Sequence, residues 1–203
     1  AAIPAGQSVI EGDGKIPYLP EALAKRNENR AAWPADDPEV KCYLPGIPRA
    51  MYMPYPFQIV QGGGNILFVH EYNSTNRNVY MSNHQEPPVD TWMGWSNGHW
   101  DGDTLVIETT NFNGKNPFRG SSENMRLVER FTRVDANTIR YQFTVDDPAT
   151  WTRPWSAEMA MKKTIGPIFE HACHEGNYSL YNILAGARAD EKRAQEAAKK
   201  EAK

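Results

Sequence analysis

The feature that most constrains the fold is a run of short strand patterns separated by turn residues, from residue 55 to residue 174. Within Thr138–Val145, apolar and polar residues alternate one by one, which is the period of a β-strand with one buried face. No helical pattern interrupts this region, which argues against a parallel sheet built from strand–helix–strand units. We expect strands at Phe57–Gln61, Asn65–Tyr72, Arg77–Met81, Trp92–Trp100, Thr104–Thr110, Met125–Val134, Thr138–Val145, Trp155–Thr164 and Ile168–His174.

Most of these predicted strands are joined by tight turns. Asp101-Gly102-Asp103 is the strongest hairpin signal, because Asp-Gly favours the turns that connect antiparallel strands. Such a meander can close into an up-and-down barrel or divide into a two-sheet sandwich. Closure removes exposed sheet edges. We therefore predict a mainly β fold, an antiparallel up-and-down β-barrel, with the sandwich as second choice.

The two ends of the chain differ from this central region. Residues 1–50 are predicted to form an irregular, extended N-terminal arm with one short helix between Pro20 and Trp33. Residues 51–176 would form the barrel domain. Residues 177–203, rich in Ala, Lys and Glu, are predicted to form a C-terminal α-helix. The arm and this helix are also candidate surfaces for self-association.

Composition and charge narrow the classes of partner. A net charge of −3 and a pI of about 6.0 leave no basic surplus for phosphates, so nucleic acid is not an expected partner. The apolar runs have only strand length, whereas a membrane-spanning helix needs roughly 20 apolar residues, so no membrane span is expected. The start Ala1–Ala5 is typical of a chain after signal-peptide removal. We therefore expect a soluble protein that is periplasmic or secreted.

The sequence contains two cysteines, Cys42 and Cys173. In an exported protein the expected state is a disulfide, here between the N-terminal arm and the last predicted strand. Closing so long a loop would stabilise the fold by about 4–5 kcal/mol on the chain-entropy model. Two separate buried thiols are the alternative.

Several longer motifs resemble those of an uncharacterised family of exported bacterial proteins. The motifs are WDGDTLV at 100–106, FRGSSEN at 118–124, LVERF at 127–131 and CHEGNY at 173–178. The resemblance extends over about residues 38–190 and implies export, but it implies no activity. The predicted barrel also resembles the lipocalin-like superfamily in its architecture, from which function does not follow.

Glu129 is the strongest candidate for a functional carboxylate. It shares a strand face with Leu127 and Phe131, so the alternation turns it inward. Burying it alone would cost several kcal/mol, so it needs a raised pKa or a partner such as Arg77 or Arg140. We interpret Glu129 as a general acid/base or a ligand anchor, with a structural ion pair as the alternative.

His70 and Glu71 are the other candidate catalytic residues. Because they are adjacent on a predicted strand, one of them must face the core. A histidine beside a carboxylate in a cavity can carry protons near neutral pH. A strand end in solvent is the alternative.

No metal ion or other cofactor is predicted. His171, His174 and Glu175 form a His-x-x-His-Glu run, but a strand places positions i and i+3 on opposite faces. The sequence has no P-loop, no Gly-x-Gly-x-x-Gly and no Gly-x-Ser-x-Gly motif, so a nucleotide enzyme or an α/β-hydrolase is not expected.

The strand region is rich in aromatic residues, which either line pockets for flat ligands or pack cores and turns. We predict that the barrel interior binds a small apolar or aromatic ligand, beneath the polar loop 111–117. A cofactor-free isomerase, dehydratase or hydrolase is the first alternative, and a structural subunit of an oligomer or extracellular assembly is the second. The predicted ligand-binding residues are Trp92, Trp100, Tyr141, Trp155 and Arg77.

Overall fold

The structure is a computed structural model that describes residues 9–10, 12–84, 87–173 and 178–201. The chain divides into two compact units, Ala1–His171 and Ala172–Lys203. The first unit contains the sheet and the second contains the C-terminal helix. Ala1–Ala5, on which the prediction of export partly rests, lie outside the described residues.

The first unit is mainly β, which confirms the predicted fold class. One sheet, curled into a half-barrel, takes the order β1-β9-β8-β7-β6-β5-β4-β3-β2, so that strands adjacent in the sequence are mostly adjacent in space. The strands are β1 (Val9–Ile10), β2 (Phe57–Gln61), β3 (Asn65–His70), β4 (Asn76–Tyr80), β5 (Trp95–Asp101), β6 (Thr104–Thr110), β7 (Arg126–Asp135), β8 (Thr138–Asp146) and β9 (Trp155–Lys162).

One junction in the sheet is not antiparallel. β4 pairs with β5 in parallel, and only through Val79 with Ser96 and Tyr80 with Asn97. A parallel neighbour cannot be reached by a tight turn, so a long connection joins the two strands. The residues of β4 that precede Val79 pair with β3 but not with β5. The sheet is therefore open beside the first half of β4.

One face of the sheet is buried. On β3 the buried residues are Ile66, Phe68 and His70, and on β7 they are Leu127, Glu129 and Phe131, as the period of two requires. Helix α2 (Arg49–Tyr52) and the connection before β7 add further side chains to the same core. These added core residues are Ala50, Met51, Phe112, Phe118 and Met125.

The last predicted strand, Ile168–His174, is wrong over residues 168–173, which form no strand. His174 lies outside the described residues. Phe169 in this segment is 67% exposed, so its apolar side chain does not contribute to the buried face of the sheet. Apolar content alone therefore does not place a segment in the sheet.

The chain also forms two longer helices. Helix α1 (Pro20–Ala31) begins at a proline, whose missing N–H is harmless in the first turn. Helix α3 (Tyr178–Glu201) forms most of the second unit.

Cys42 and Cys173 are both disulfide-bonded, which confirms the predicted bond. Within the described part of the chain, no helix combines the length and apolar character that a bilayer crossing requires.

Candidate functional site

The buried face of the sheet contains a hydrogen-bonded ion pair between Arg77 on β4 and Glu129 on β7. The side chains of the pair are 1% and 0% exposed. Tyr141 of β8 donates its hydroxyl to the other carboxylate oxygen, Oε1 of Glu129, at 2.7 Å. Both oxygens of Glu129 therefore have partners in the dry interior, as a buried charge requires.

Two hydroxyl side chains also belong to this cluster. Arg77 donates from Nε to Ser96 Oγ at 2.9 Å and from Nη2 to Thr109 Oγ1 at 2.8 Å. The two hydroxyl oxygens are 3.0 Å apart, because Ser96 and Thr109 are direct partners across β5 and β6. Arg77, Ser96, Thr109, Glu129 and Tyr141 thus form one buried polar network, with one residue from each of the strands β4 to β8.

Burial and the charge of Glu129 raise the pKa of Tyr141 well above its usual value. The phenol therefore stays protonated and serves as a hydrogen-bond donor. Arg140, the other partner considered for Glu129, is exposed. Glu129 therefore makes the contacts of a structural ion pair. This is the alternative to a general acid/base or ligand anchor that the sequence left open.

His70 lies in the core, whereas Glu71 does not accompany it. His70 is 3% exposed, and its ring centroid lies 5.5 Å from that of Phe57 and 6.5 Å from that of Phe68. Burial, and next the charge of Arg77, lower the pKa of His70 to about 4. Glu71 instead accepts a hydrogen bond from the backbone N–H of Phe169 at 3.0 Å. These contacts do not form a histidine–carboxylate catalytic pair.

The predicted ligand-binding residues are spread over different parts of the first unit. Trp155 is 5% exposed and packs in the core, and Tyr141 belongs to the buried polar network. Trp100 is 51% exposed at the end of β5. Trp92 precedes β5 and packs against Tyr43, with ring centroids 5.2 Å apart. Two of the predicted residues, Arg77 and Trp92, line a common pocket.

That pocket, which we call the β4–β5 pocket, has a volume of about 270 Å³ and lies where the two strands do not pair. Trp92, Trp95 and Tyr80 contribute its aromatic walls, and Arg77 and Ser96 also line it. The rings of Tyr80 and Trp95 are stacked, with centroids 4.6 Å apart and planes at 16°. The pocket thus brings aromatic surface next to two members of the buried polar network.

Sequence reasoning missed a second and larger cavity of about 570 Å³, which α1, the segment after it and residues 115–120 form together. Its lining is rich in cations, among them Arg26, Arg30, Lys115 and Arg119. The one available signal was the spacing of Arg26 and Arg30, which places both on one face of α1. Nothing in the sequence indicates that residues 115–120 lie opposite them.

The structure contains no candidate metal site within the residues it describes, where no group of three or more His, Cys, Asp and Glu side chains converges. His171 packs between Tyr55 and Tyr72, with ring centroids 5.1 and 4.8 Å away. His174 and Glu175, the other members of the run noted in the sequence, lie outside the described residues.

Comparison with known proteins does not assign the chain to a family. No protein-family model matches it, and neither a curated protein nor a solved structure is significantly similar. Function is therefore inferred from the fold and from the two cavities.

Proposed function

We propose that this protein binds a small molecule with a flat aromatic or apolar ring in the β4–β5 pocket. The ligand class is the one expected from the sequence, but the proposed binding site is the β4–β5 pocket and not the barrel interior. The barrel interior around Glu129 is filled by buried side chains such as Phe131, Tyr141 and Phe143, whereas the β4–β5 pocket is open. The single observation that carries the proposal is the aromatic lining of this pocket next to Arg77 and Ser96.

The polar groups of the pocket favour a ligand that accepts a hydrogen bond. The indole Nε1 of Trp95 and the Nη1 of Arg77 are buried donors without a hydrogen-bond partner among the described residues. A buried donor left unpaired costs about 1–3 kcal/mol, so a ligand acceptor that pairs with either atom after a small movement of the pocket wall gains affinity. The charge of Arg77 is balanced by Glu129, so the ligand need not be an anion.

The buried polar network also supports binding by holding the pocket in place. Arg77 and Ser96 are fixed by hydrogen bonds to each other and to Thr109. Side chains that are ordered before binding lose little conformational entropy when a ligand arrives. We therefore expect the side chains of Arg77 and Ser96 to keep their positions between the free and bound states.

A variant at Trp92 tests the proposal, with 4-hydroxyacetophenone as the probe in isothermal titration calorimetry. We expect saturable binding to the full chain and about 30-fold weaker binding to Trp92→Ala, since a tryptophan that anchors a ligand contributes at least about 2 kcal/mol to binding. Trp100→Ala is the matched control, because Trp100 is 51% exposed and does not line the pocket. No saturable binding, or an equal loss in both variants, would contradict the proposal.

An enzyme on the same sheet is less well supported. Glu129 lies 2.7 Å from the hydroxyl of Tyr141, which is close enough for proton transfer. A substrate would also have to reach the carboxylate, and Glu129 lines neither the β4–β5 pocket nor the larger cavity. Binding is therefore the function that the geometry favours.

We also infer that the protein works in an oxidising compartment, the periplasm or the exterior of the cell. The disulfide formed by Cys42 and Cys173 supports this inference, because such bonds rarely persist in a reducing cytoplasm. Alkylation of thiols in freshly lysed cells tests it. We expect no labelling of the chain until a reductant is added, and immediate labelling would contradict the inference.

A further inference from the structure

The cavity of about 570 Å³ shares no lining residue with the β4–β5 pocket. One wall is the C-terminal half of α1, with Arg26 and Arg30, and another is the loop that carries Lys115 and Arg119. We call this cavity the cationic cleft. Its size lies within the range of about 300–1,000 Å³ that is typical of sites for small molecules.

The cleft concentrates positive charge in a protein whose net charge is −3. Within the described residues, Arg26, Arg30, Lys115 and Arg119 take part in none of the ion pairs. Arg49, which also lines the cleft, is neutralised by Asp37 and Glu39, each with an N–O distance of 2.8 Å. Asp36, which also lines the cleft, can balance one of these four charges, so three of them remain for an external anion.

Hydrogen bonds hold the loop wall of the cleft in position. Tyr18 donates its hydroxyl to the carbonyl oxygen of Arg119 at 3.1 Å. Asn116 donates from Nδ2 to the carbonyl oxygens of Leu44 at 2.8 Å and Trp92 at 3.2 Å. Arg119 itself has a φ of 54°, a left-handed conformation that is costly for a bulky residue and persists where the surroundings impose it. The polar loop at 111–117 is therefore tethered at Asn116.

The cleft also has an aromatic element. Trp33, directly after α1, lines the cleft and is 67% exposed. Tyr52, which is partly buried, and Phe118, which is buried, add aromatic surface on the inner side of the cleft. An exposed tryptophan next to guanidinium groups offers a flat face on which a ring can stack while its charged substituent contacts the cations.

We propose that the cationic cleft binds a small organic anion that carries an aromatic ring. Guanidinium groups of Arg26, Arg30 and Arg119 hold its phosphate or carboxylate, since arginine matches the geometry of both groups. The ring lies against Trp33. This site is separate from the proposed function of the β4–β5 pocket and does not depend on it.

Calorimetric titration of the full chain with a matched set of probes tests the proposal. Phenyl phosphate carries ring and charge, inorganic phosphate carries charge alone, and phenol carries the ring alone. We expect phenyl phosphate to bind at least about tenfold more tightly than either of the others, and more weakly as the salt concentration rises. Phenylacetate, used in parallel, distinguishes a carboxylate ligand from a phosphate ligand. Absence of saturable binding by both ring-bearing anions would overturn the proposal.

Charge-removing variants then test the location of the site. Arg26→Gln/Arg30→Gln should bind phenyl phosphate about 100-fold more weakly, about tenfold for each charge-assisted hydrogen bond lost. Lys25→Gln/Lys163→Gln removes the same charge from exposed residues outside the cleft and should change the affinity less than about twofold. Because α1 has no buried residues, its two substitutions should not unfold the chain. Equal losses in both double variants, or unchanged affinity in the arginine variant, would overturn the assignment.

Discussion

Replacing Glu129 by Leu is expected to lower the free energy of unfolding by about 3–5 kcal/mol, the cost of leaving one member of a buried ion pair alone. The guanidinium of Arg77 is 1% exposed and would lose its counter-charge, and the hydroxyl of Tyr141 would lose its acceptor. Urea unfolding of the full chain, followed by circular dichroism, measures the change. A loss below about 1 kcal/mol would show that the pair contributes little to stability.

A double variant separates the charge from the packing. In Arg77→Met/Glu129→Leu no uncompensated charge is left, and apolar side chains of similar size replace the pair. We expect this variant to recover most of the stability lost in Glu129→Leu, because well-packed apolar replacements of a buried pair are often neutral or stabilising. A double variant as unstable as the single one would mean that the hydrogen bonds to Ser96 and Thr109, rather than the charge balance, support the sheet.

Acidification is expected to destabilise the protein through His70. The native state holds the pKa of His70 at about 4 and the unfolded state at about 6.5, so between these pH values the unfolded chain binds the extra proton. The contribution of His70 to the free energy of unfolding is fully present above about pH 6.5 and decreases as the pH falls towards 4. The total loss is about 3 kcal/mol, from 1.36 kcal/mol for each unit of pKa difference.

Comparison of two variants isolates this contribution from that of the carboxylates. His70→Phe fits a site beside the rings of Phe57 and Phe68 and should reduce the decrease in stability between pH 6.5 and 4 by about 3 kcal/mol, leaving the part that the carboxylates contribute. His99→Asn changes an exposed histidine and should leave the decrease unchanged. Urea unfolding at several pH values in this range gives a curve of unfolding free energy against pH for each variant. Parallel curves for the wild type and His70→Phe would show that His70 does not stay neutral in the folded chain.

Both predictions concern residues around Arg77, which has three roles in the structure. Arg77 balances Glu129, lines the β4–β5 pocket and contributes to the lowered pKa of His70. A proton on His70 would place a second positive charge near this guanidinium. If the β4–β5 pocket binds the proposed ligand, its affinity and the stability of the protein at low pH would therefore both depend on this one side chain.

Local pattern alone predicted much of the sheet and part of the buried network. Thr104–Thr110 and Phe57–Gln61 form strands with the predicted bounds, because alternation and flanking turn residues are properties of the local sequence. The same alternation turns Glu129 inward beside Leu127 and Phe131. Burial of a carboxylate then required a partner, and Arg77 was one of the two considered.

Tertiary structure decided the remaining points. The choice of Arg77 over Arg140 and the parallel pairing of β4 with β5 depend on which strands become neighbours. Glu71 has an environment different from that of His70 because it contacts Phe169, which lies outside the sheet. The cationic cleft likewise joins α1 to a loop about 90 residues later in the chain. The period of a strand determines which face a side chain occupies, but only the packing of distant segments determines what that side chain meets.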